Sequence, residues 1–263
     1  MKHASVTARI LAMLVLVEVL SCSAVEASQP MACDPLLDPS EPARILLVGN
    51  SHIFMNDLPL MLSRLAVSAG IDCECGQSAY GGYELSQHAT DERTLWLIEG
   101  EPWDVVVLQE RTTVLLTRLA EGTEPAVLAL DEAIASVAAR TLLLMMWAPY
   151  SGTVAGGSVD ASQEEVARST MAVAERIGAC VAPVGLAWEA VEDADSGINL
   201  WQSGREHASE AGTYLMACVL YATLWGRSPV GLGSMTGLSE SDALTLQEVA
   251  AETVSRFTIR SPD

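Results

Sequence analysis

The sequence predicts an α/β fold, with a parallel sheet of about five strands covered by helices on both faces. Three observations carry this. Short apolar runs recur as strand candidates, and most are apolar throughout, as strands buried on both faces require, rather than alternating with polar residues. Between them lie stretches whose apolar residues recur at helical spacing. The chain has 263 residues, half of them hydrophobic, enough for one sizeable core and one domain.

The elements follow in order. Residues 1–27 read as an export leader: Lys2 and Arg9 make a basic start, and Ile10–Leu20 is an apolar run interrupted by Glu18. The run is short for a spanning helix. Two processing patterns compete. Val25-Glu26-Ala27 suits signal peptidase, whereas Val19-Leu20-Ser21-Cys22 is an imperfect lipoprotein box that would leave a lipid, and so a membrane tether, on Cys22. The expectation is an exported protein, periplasmic, extracellular or lipid-anchored in a bacterial cell envelope. Residues 28–42, rich in Pro, Ser and Asp, read as a linker, and residues 43–263 as the domain. Strands are expected at Ile45–Val48, Ile71–Cys75, Val105–Leu108, Thr141–Trp147 and Cys180–Val184. Helices are expected at Leu58–Ala69, Ala126–Ala139, Gln163–Ile177, Ser209–Leu224 and Ser241–Arg256. Residues 150–160 read as a flexible loop after the fourth strand, placed to border a site.

Charge and cysteines bound the partners. Thirty-four acids face 14 bases, a formal net charge of −20, and Lys2 is the only lysine. Such a surface repels nucleic acid and anionic lipid headgroups and suits a neutral or cationic ligand better than a polyanion. Of six cysteines, Cys73-Glu74-Cys75 is too tight for a metal-site pair and has no Cys/His cluster beside it, so no metal is expected. Cys180 and Cys218 sit in apolar segments and read as small buried hydrophobes. Export permits a disulfide, but the sequence does not identify one.

In a parallel sheet, ligands bind beyond the carboxyl ends of the strands. The segments to examine are therefore Gly49–His52, Gly81–Tyr83, Gln109–Arg111 and Trp147–Tyr150. Ser51 ends the first strand at a strand–turn–helix junction, where a nucleophile and oxyanion-binding N–H groups can meet; the alternative is a plain helix N-cap. Of the histidines, His52 adjoins Ser51 on a helix, where neighbouring side chains diverge. His88 falls at a helix start. His207 lies in the polar loop 201–207 before a late helix, well placed to reach back to the first strand. Glu110 and Arg111 read as a solvated loop pair on the rim; the alternatives are an ion pair or contact with a polar substrate. Trp147 and Trp201 fall near the site, for packing or for stacking on a sugar.

Four blocks, in order, resemble the SGNH (GDSL-like) hydrolases. Gly49-Asn50-Ser51-His52 looks like the first. Gly81-Gly82, with Leu85 and His88 following, resembles the second. Val107-Leu108-Gln109-Glu110 is similar to the third in the branch that uses Gln for Asn. His207, with Ser209, Gly212 and Tyr214, resembles the last. The resemblance implies a three-layer α/β/α sandwich with a flavodoxin-like sheet, and cofactor-free hydrolysis of a small acyl ester, often on a carbohydrate. It implies Ser51 as nucleophile, His207 as base, and an oxyanion hole from the Ser51 and Gly82 N–H groups and the Gln109 amide. The chain departs from the pattern three residues before the histidine, where the usual Asp is Gly204; Glu206 and Asp195 are the substitutes to consider. The alternatives are a carbohydrate-binding or scaffold protein with impaired turnover, and an acyltransferase using the same residues.

Overall fold

The structure is a computed structural model that describes residues 33–150, 161–233 and 237–259. Five strands form one all-parallel sheet: β1 (Ala43–Gly49), β2 (Cys73–Ala79), β3 (Val105–Leu108), β4 (Arg140–Leu144) and β5 (Cys180–Ala182), in the order β2-β1-β3-β4-β5. The fold is thus the expected parallel α/β sheet with helices on both faces. Ten α-helices are described: α1 (Ser51–Phe54), α2 (Leu58–Ser68), α3 (Leu85–His88), α4 (Glu92–Gly100), α5 (Thr112–Thr117), α6 (Glu124–Ser136), α7 (Gln163–Ile177), α8 (Val184–Asp193), α9 (Glu210–Trp225) and α10 (Glu240–Ile259). A π-helical turn, Leu119–Thr123, joins α5 to α6.

Strand residues alternate between two cores. Ile45, Leu47, Val105, Val107, Leu142 and Leu144 face α2, α8, α9 and α10, while Leu46, Val48, Val106, Leu108 and Leu143 face α4, α6 and α7. Because both faces are covered, both parities must be apolar, which is why these strands read as unbroken runs. Helix α9 is buried almost all round, from Ala211 to Trp225 with Thr223 excepted, packed between the sheet layer, α2 and α10. Local signals set the helix ends: Ser162 and Glu165 form a capping box at the start of α7, and Gly178 closes it in the left-handed conformation.

The structure corrects three expectations. Strand β2 begins two residues later than Ile71 and runs through the polar Cys-Glu-Cys-Gly-Gln-Ser-Ala. It is an edge strand, half-buried along its length, so continuous apolarity is not required of it. Residues 33–42, expected as a linker, are anchored to the domain: Leu36 and Leu37 are buried, and Leu37 N–H donates to the Leu224 carbonyl at 2.9 Å. Cys180, expected as a small buried hydrophobe, is bonded to Cys33 across 147 residues. Cys73 and Cys75 carry free thiols with sulfurs 3.6 Å apart, and Cys218 is free and buried. The loop expected at 150–160 lies, from residue 151 on, outside the described residues, as does the leader.

Candidate active site

The site lies where the sheet order reverses, beyond the carboxyl ends of β1 and β3. Strand β1 stops at Gly49, Asn50 caps α1, and Ser51 is the first residue of that one-turn helix. Asn50 is buried and holds the turn from both sides: its Oδ1 accepts His52 N–H at 3.2 Å and its Nδ2 donates to the Tyr83 carbonyl at 3.1 Å. Gly49 is needed for close approach, since a Cβ there would stand 2.4 Å from Gln109 Oε1. His88 props the same turn from beneath. It is fully buried and burial lowers its pKa; Nε2–H donates to the Gly49 carbonyl at 2.8 Å, and Nδ1 lies 2.9 Å from Thr94 Oγ1, whose hydroxyl donates to Asp91 Oδ2 at 3.2 Å.

His207 reaches the site from the loop between α8 and α9. That loop is a small closed structure. Trp201 and Ala208 form an antiparallel bridge, Gln202 N–H donates to the His207 carbonyl at 2.9 Å, and Ser209 N–H donates to the Leu200 carbonyl at 2.8 Å. Trp201 Nε1–H donates to Glu192 Oε1 at 2.6 Å. Asn56, in the corner between α1 and α2, donates to the Ala208 carbonyl and to Thr213 Oγ1, each at 2.9 Å. It therefore ties the Ser51 segment to the His207 loop. The outcome is Ser51 Oγ 2.8 Å from His207 Nε2. For the hydroxyl to donate, Nε2 must be bare, which puts the ring proton on Nδ1.

Among the described residues, no carboxylate oxygen comes within 4.0 Å of a His207 ring nitrogen. Glu206 lines the cleft but is exposed, and Asp195 lies just past the end of α8, away from it. Gly204 has φ +100°, a conformation that disfavours an aspartate at the usual triad position.

Gln109 is placed differently from the expectation. Its carboxamide is fully buried, with Oε1 accepting Asn50 N–H at 3.0 Å and Nε2 donating to the Glu110 carbonyl at 2.8 Å. It holds the turn that carries Ser51 from the neighbouring strand and does not line the cleft. The N–H groups of Ser51 and Gly82 have no hydrogen-bond partner among the described residues, and both residues border the cleft. Glu110 also departs from expectation. It is buried rather than paired with the Arg111 side chain, and accepts the N–H groups of Arg111 at 2.7 Å and Leu85 at 3.3 Å.

The cleft has a volume of about 310 Å³. Besides Ser51 and His207, its walls include His52, Arg111, Thr112, Trp147, Tyr150, Trp201 and Arg205. Trp147 stacks on Trp188 with centroids 3.9 Å apart, and Trp201 stands edge-on to both, so the aromatic wall is rigid. His52, expected to point away, packs 5.2 Å from both the His207 and Trp147 ring centroids. Its Nδ1 is buried without a partner among the described residues, and burial, His207 and Arg111 push its pKa down to about 3, so the ring is neutral. Among the described residues, no three His, Cys, Asp or Glu side chains gather as a metal-ligand group, and no helix is long and apolar enough to cross a membrane.

No protein-family model matches the chain, and no curated protein matches it in sequence. Solved structures do. A protein of Slackia heliotrinireducens assigned to the SGNH hydrolases is 28% identical, with a TM-score of 0.60, over 70% of this chain and 100% of its own. A DUF4886 family protein from Bacteroides uniformis aligns with a TM-score of 0.72 at 17% identity, over 83% of this chain and 96% of its own. A lipase/acylhydrolase from Enterococcus faecalis aligns at 0.54 and 16% identity, over 74% of this chain and 100% of its own. The chain is structurally similar to SGNH and GDSL-like hydrolases.

Proposed function

We propose that this chain is an exported serine esterase that hydrolyses a small acyl ester, such as an acetylated carbohydrate, with Ser51 as nucleophile and His207 as base. The single observation that carries the reading is the 2.8 Å contact between Ser51 Oγ and His207 Nε2 at the mouth of a cleft. Ser51 Oγ attacks the ester carbonyl carbon and its proton passes to His207 Nε2. The oxyanion that forms points at the Ser51 and Gly82 N–H groups. A donor aimed in this way contributes roughly 3–4 kcal/mol to lowering the barrier. Collapse of the intermediate breaks the bond to the alcohol, which leaves with the proton from His207. Water then attacks the acyl-Ser51 ester, gives its proton to His207, and releases the carboxylic acid with Ser51 restored. The aromatic wall of Trp147, Tyr150 and Trp201 suits a sugar face. The Cys33–Cys180 disulfide favours an oxidising compartment, in keeping with the leader-like residues 1–27.

One observation favours a second reading, a carbohydrate-binding protein of the same fold with little turnover: His207 lacks a carboxylate partner among the described residues. Loss of the triad acid can cost about four orders of magnitude in rate. The test is hydrolysis of p-nitrophenyl acetate by the purified domain. Ser51→Ala and His207→Ala should each reduce kcat by at least about a thousandfold with thermal unfolding unchanged. Turnover at the wild-type rate in either variant removes that residue from the mechanism. No turnover in the wild type gives the second reading the field.

A further inference from the structure

We propose that the ester cleaved here carries one anionic group, a carboxylate, on its alcohol portion, and that Arg205 recognises it. The inference rests on the esterase reading above and deepens it. Position comes first. The leaving alcohol takes its proton from His207, so the alcohol occupies the His207 side of the cleft. Arg205 stands two residues before His207 in the same loop and lines the same cleft, as do Trp201 and Tyr150.

The state of the Arg205 side chain is the second observation. In this acid-rich chain, Arg44, Arg93, Arg118 and Arg168 each hold a carboxylate at 3.1 Å or closer. Arg205 has no carboxylate within 4.0 Å among the described residues. Its guanidinium lies over the Tyr150 ring, 4.1 Å from the centroid. Stacking engages the face of the planar group and leaves its edge N–H fork free, the geometry that binds a carboxylate through two parallel hydrogen bonds.

The backbone is the third. Arg205 has φ +53°, next to Gly204 at +100°. The left-handed conformation is strained for a side-chain-bearing residue, and a glycine or asparagine would sit there more easily. The turn nevertheless carries an arginine, and delivers its head to the cleft.

The field of the cleft agrees. Arg111 forms part of the wall, and its nearest carboxylate is Glu84 at 3.7 Å, an oxygen that Arg118 already holds at 2.6 Å. Against these two cations stands, among the described residues of the wall, one exposed carboxylate, Glu206. A locally cationic cleft in a chain of net charge −20 selects a singly charged ligand, because the wider surface repels a polyanion.

The test compares two acetyl esters with the same reacting bond, p-nitrophenyl acetate and 3-carboxy-4-nitrophenyl acetate. Wild-type protein should favour the carboxylated ester by about tenfold in kcat/KM, the effect of one charge-assisted pair. Arg205→Gln should erase that ratio, and Arg205→Lys should restore part of it. A wild-type ratio of one or below, or a preference that survives in Arg205→Gln, overturns the proposal. If neither ester is cleaved in a Ser51-dependent way, the esterase reading fails separately. Calorimetric titration of 5-hydroxy-2-nitrobenzoate into Ser51→Ala and Ser51→Ala/Arg205→Gln then decides recognition by itself: binding that requires Arg205 sustains it, and equal or absent binding sinks it.

Discussion

Glu110 should make the stability of this protein fall as pH rises from acid to neutral, opposite to the usual behaviour of a carboxylate. Its side chain is 7% exposed, and burial is the largest influence on it, pushing its pKa from 4.5 up to about 7. The N–H groups of Arg111 and Leu85 oppose that rise, the nearby Glu84 adds to it, and Thr123 opposes it weakly. The folded state therefore binds the proton more tightly than the unfolded chain does. The stabilisation is complete below about pH 4.5, is lost between there and about pH 7, and stays lost above. The gap between the two pKa values corresponds to roughly 3 kcal/mol. Glu110→Gln mimics the protonated form: its Oε1 can keep the two backbone N–H bonds, and its amide can donate to Thr123 Oγ1, 3.4 Å from Glu110 Oε2 in the native chain. Urea unfolding of both proteins across this range checks the idea. The two should be nearly equal at the acid end, and the variant more stable by about 3 kcal/mol at slightly alkaline pH. The comparison cancels the self-repulsion of a chain with net charge −20, which both proteins share. Parallel stability curves, or a variant less stable at alkaline pH, would refute the argument.

Two other outcomes follow from contacts outside the Ser51–His207 pair. Replacing Cys33 and Cys180 together by Ser should destabilise the domain by about 2–5 kcal/mol, read by thermal or urea unfolding, because the bond closes a loop spanning 147 residues and anchors the segment before β1; an unchanged midpoint would mean that Leu36 and Leu37 suffice as the anchor. Asn56→Gly tolerates the positive φ of +58° but removes both bonds to the His207 side, so kcat on p-nitrophenyl acetate should drop about tenfold with KM little changed. An unaltered kcat would show that the Trp201–Ala208 bridge holds the loop unaided.

The sequence carried the sheet further than it carried the site, for physical reasons visible residue by residue. Central strands must be apolar on both faces, so β3 at Val105–Leu108 could be read without its neighbours. Edge strand β2 is under no such demand, and its Cys-Gly-Gln-Ser stretch resembles a loop until Trp103 is seen packed where a Cβ at Gly76 would stand, 2.6 Å away. Within the site, Ser51 and His207 were readable because the proposed chemistry asks for those residue types at particular strand and helix ends. Gln109 was readable as a site residue but not in its placement, because which way a strand-end carboxamide turns depends on whether a neighbour needs its oxygen. Here Asn50 N–H does.

His52 shows why the walls were harder to read than the Ser51–His207 contact. On a long helix, consecutive side chains diverge by about 100° and cannot share a site. Helix α1 is a single turn of four residues, and the cleft lies off its first residues rather than along one flank. Both Ser51 and His52 therefore border the same space. Arg205 is the same problem in a loop, since its direction is set by two successive positive-φ residues that follow no periodic pattern. The residues that would choose the substrate are thus those whose orientation depends on tertiary path. That is the physical reason why a chain whose fold and Ser51–His207 juxtaposition could be read from its sequence left open what its cleft would bind, and why the charge at Arg205 became arguable only once the loop was seen to aim it beside His207.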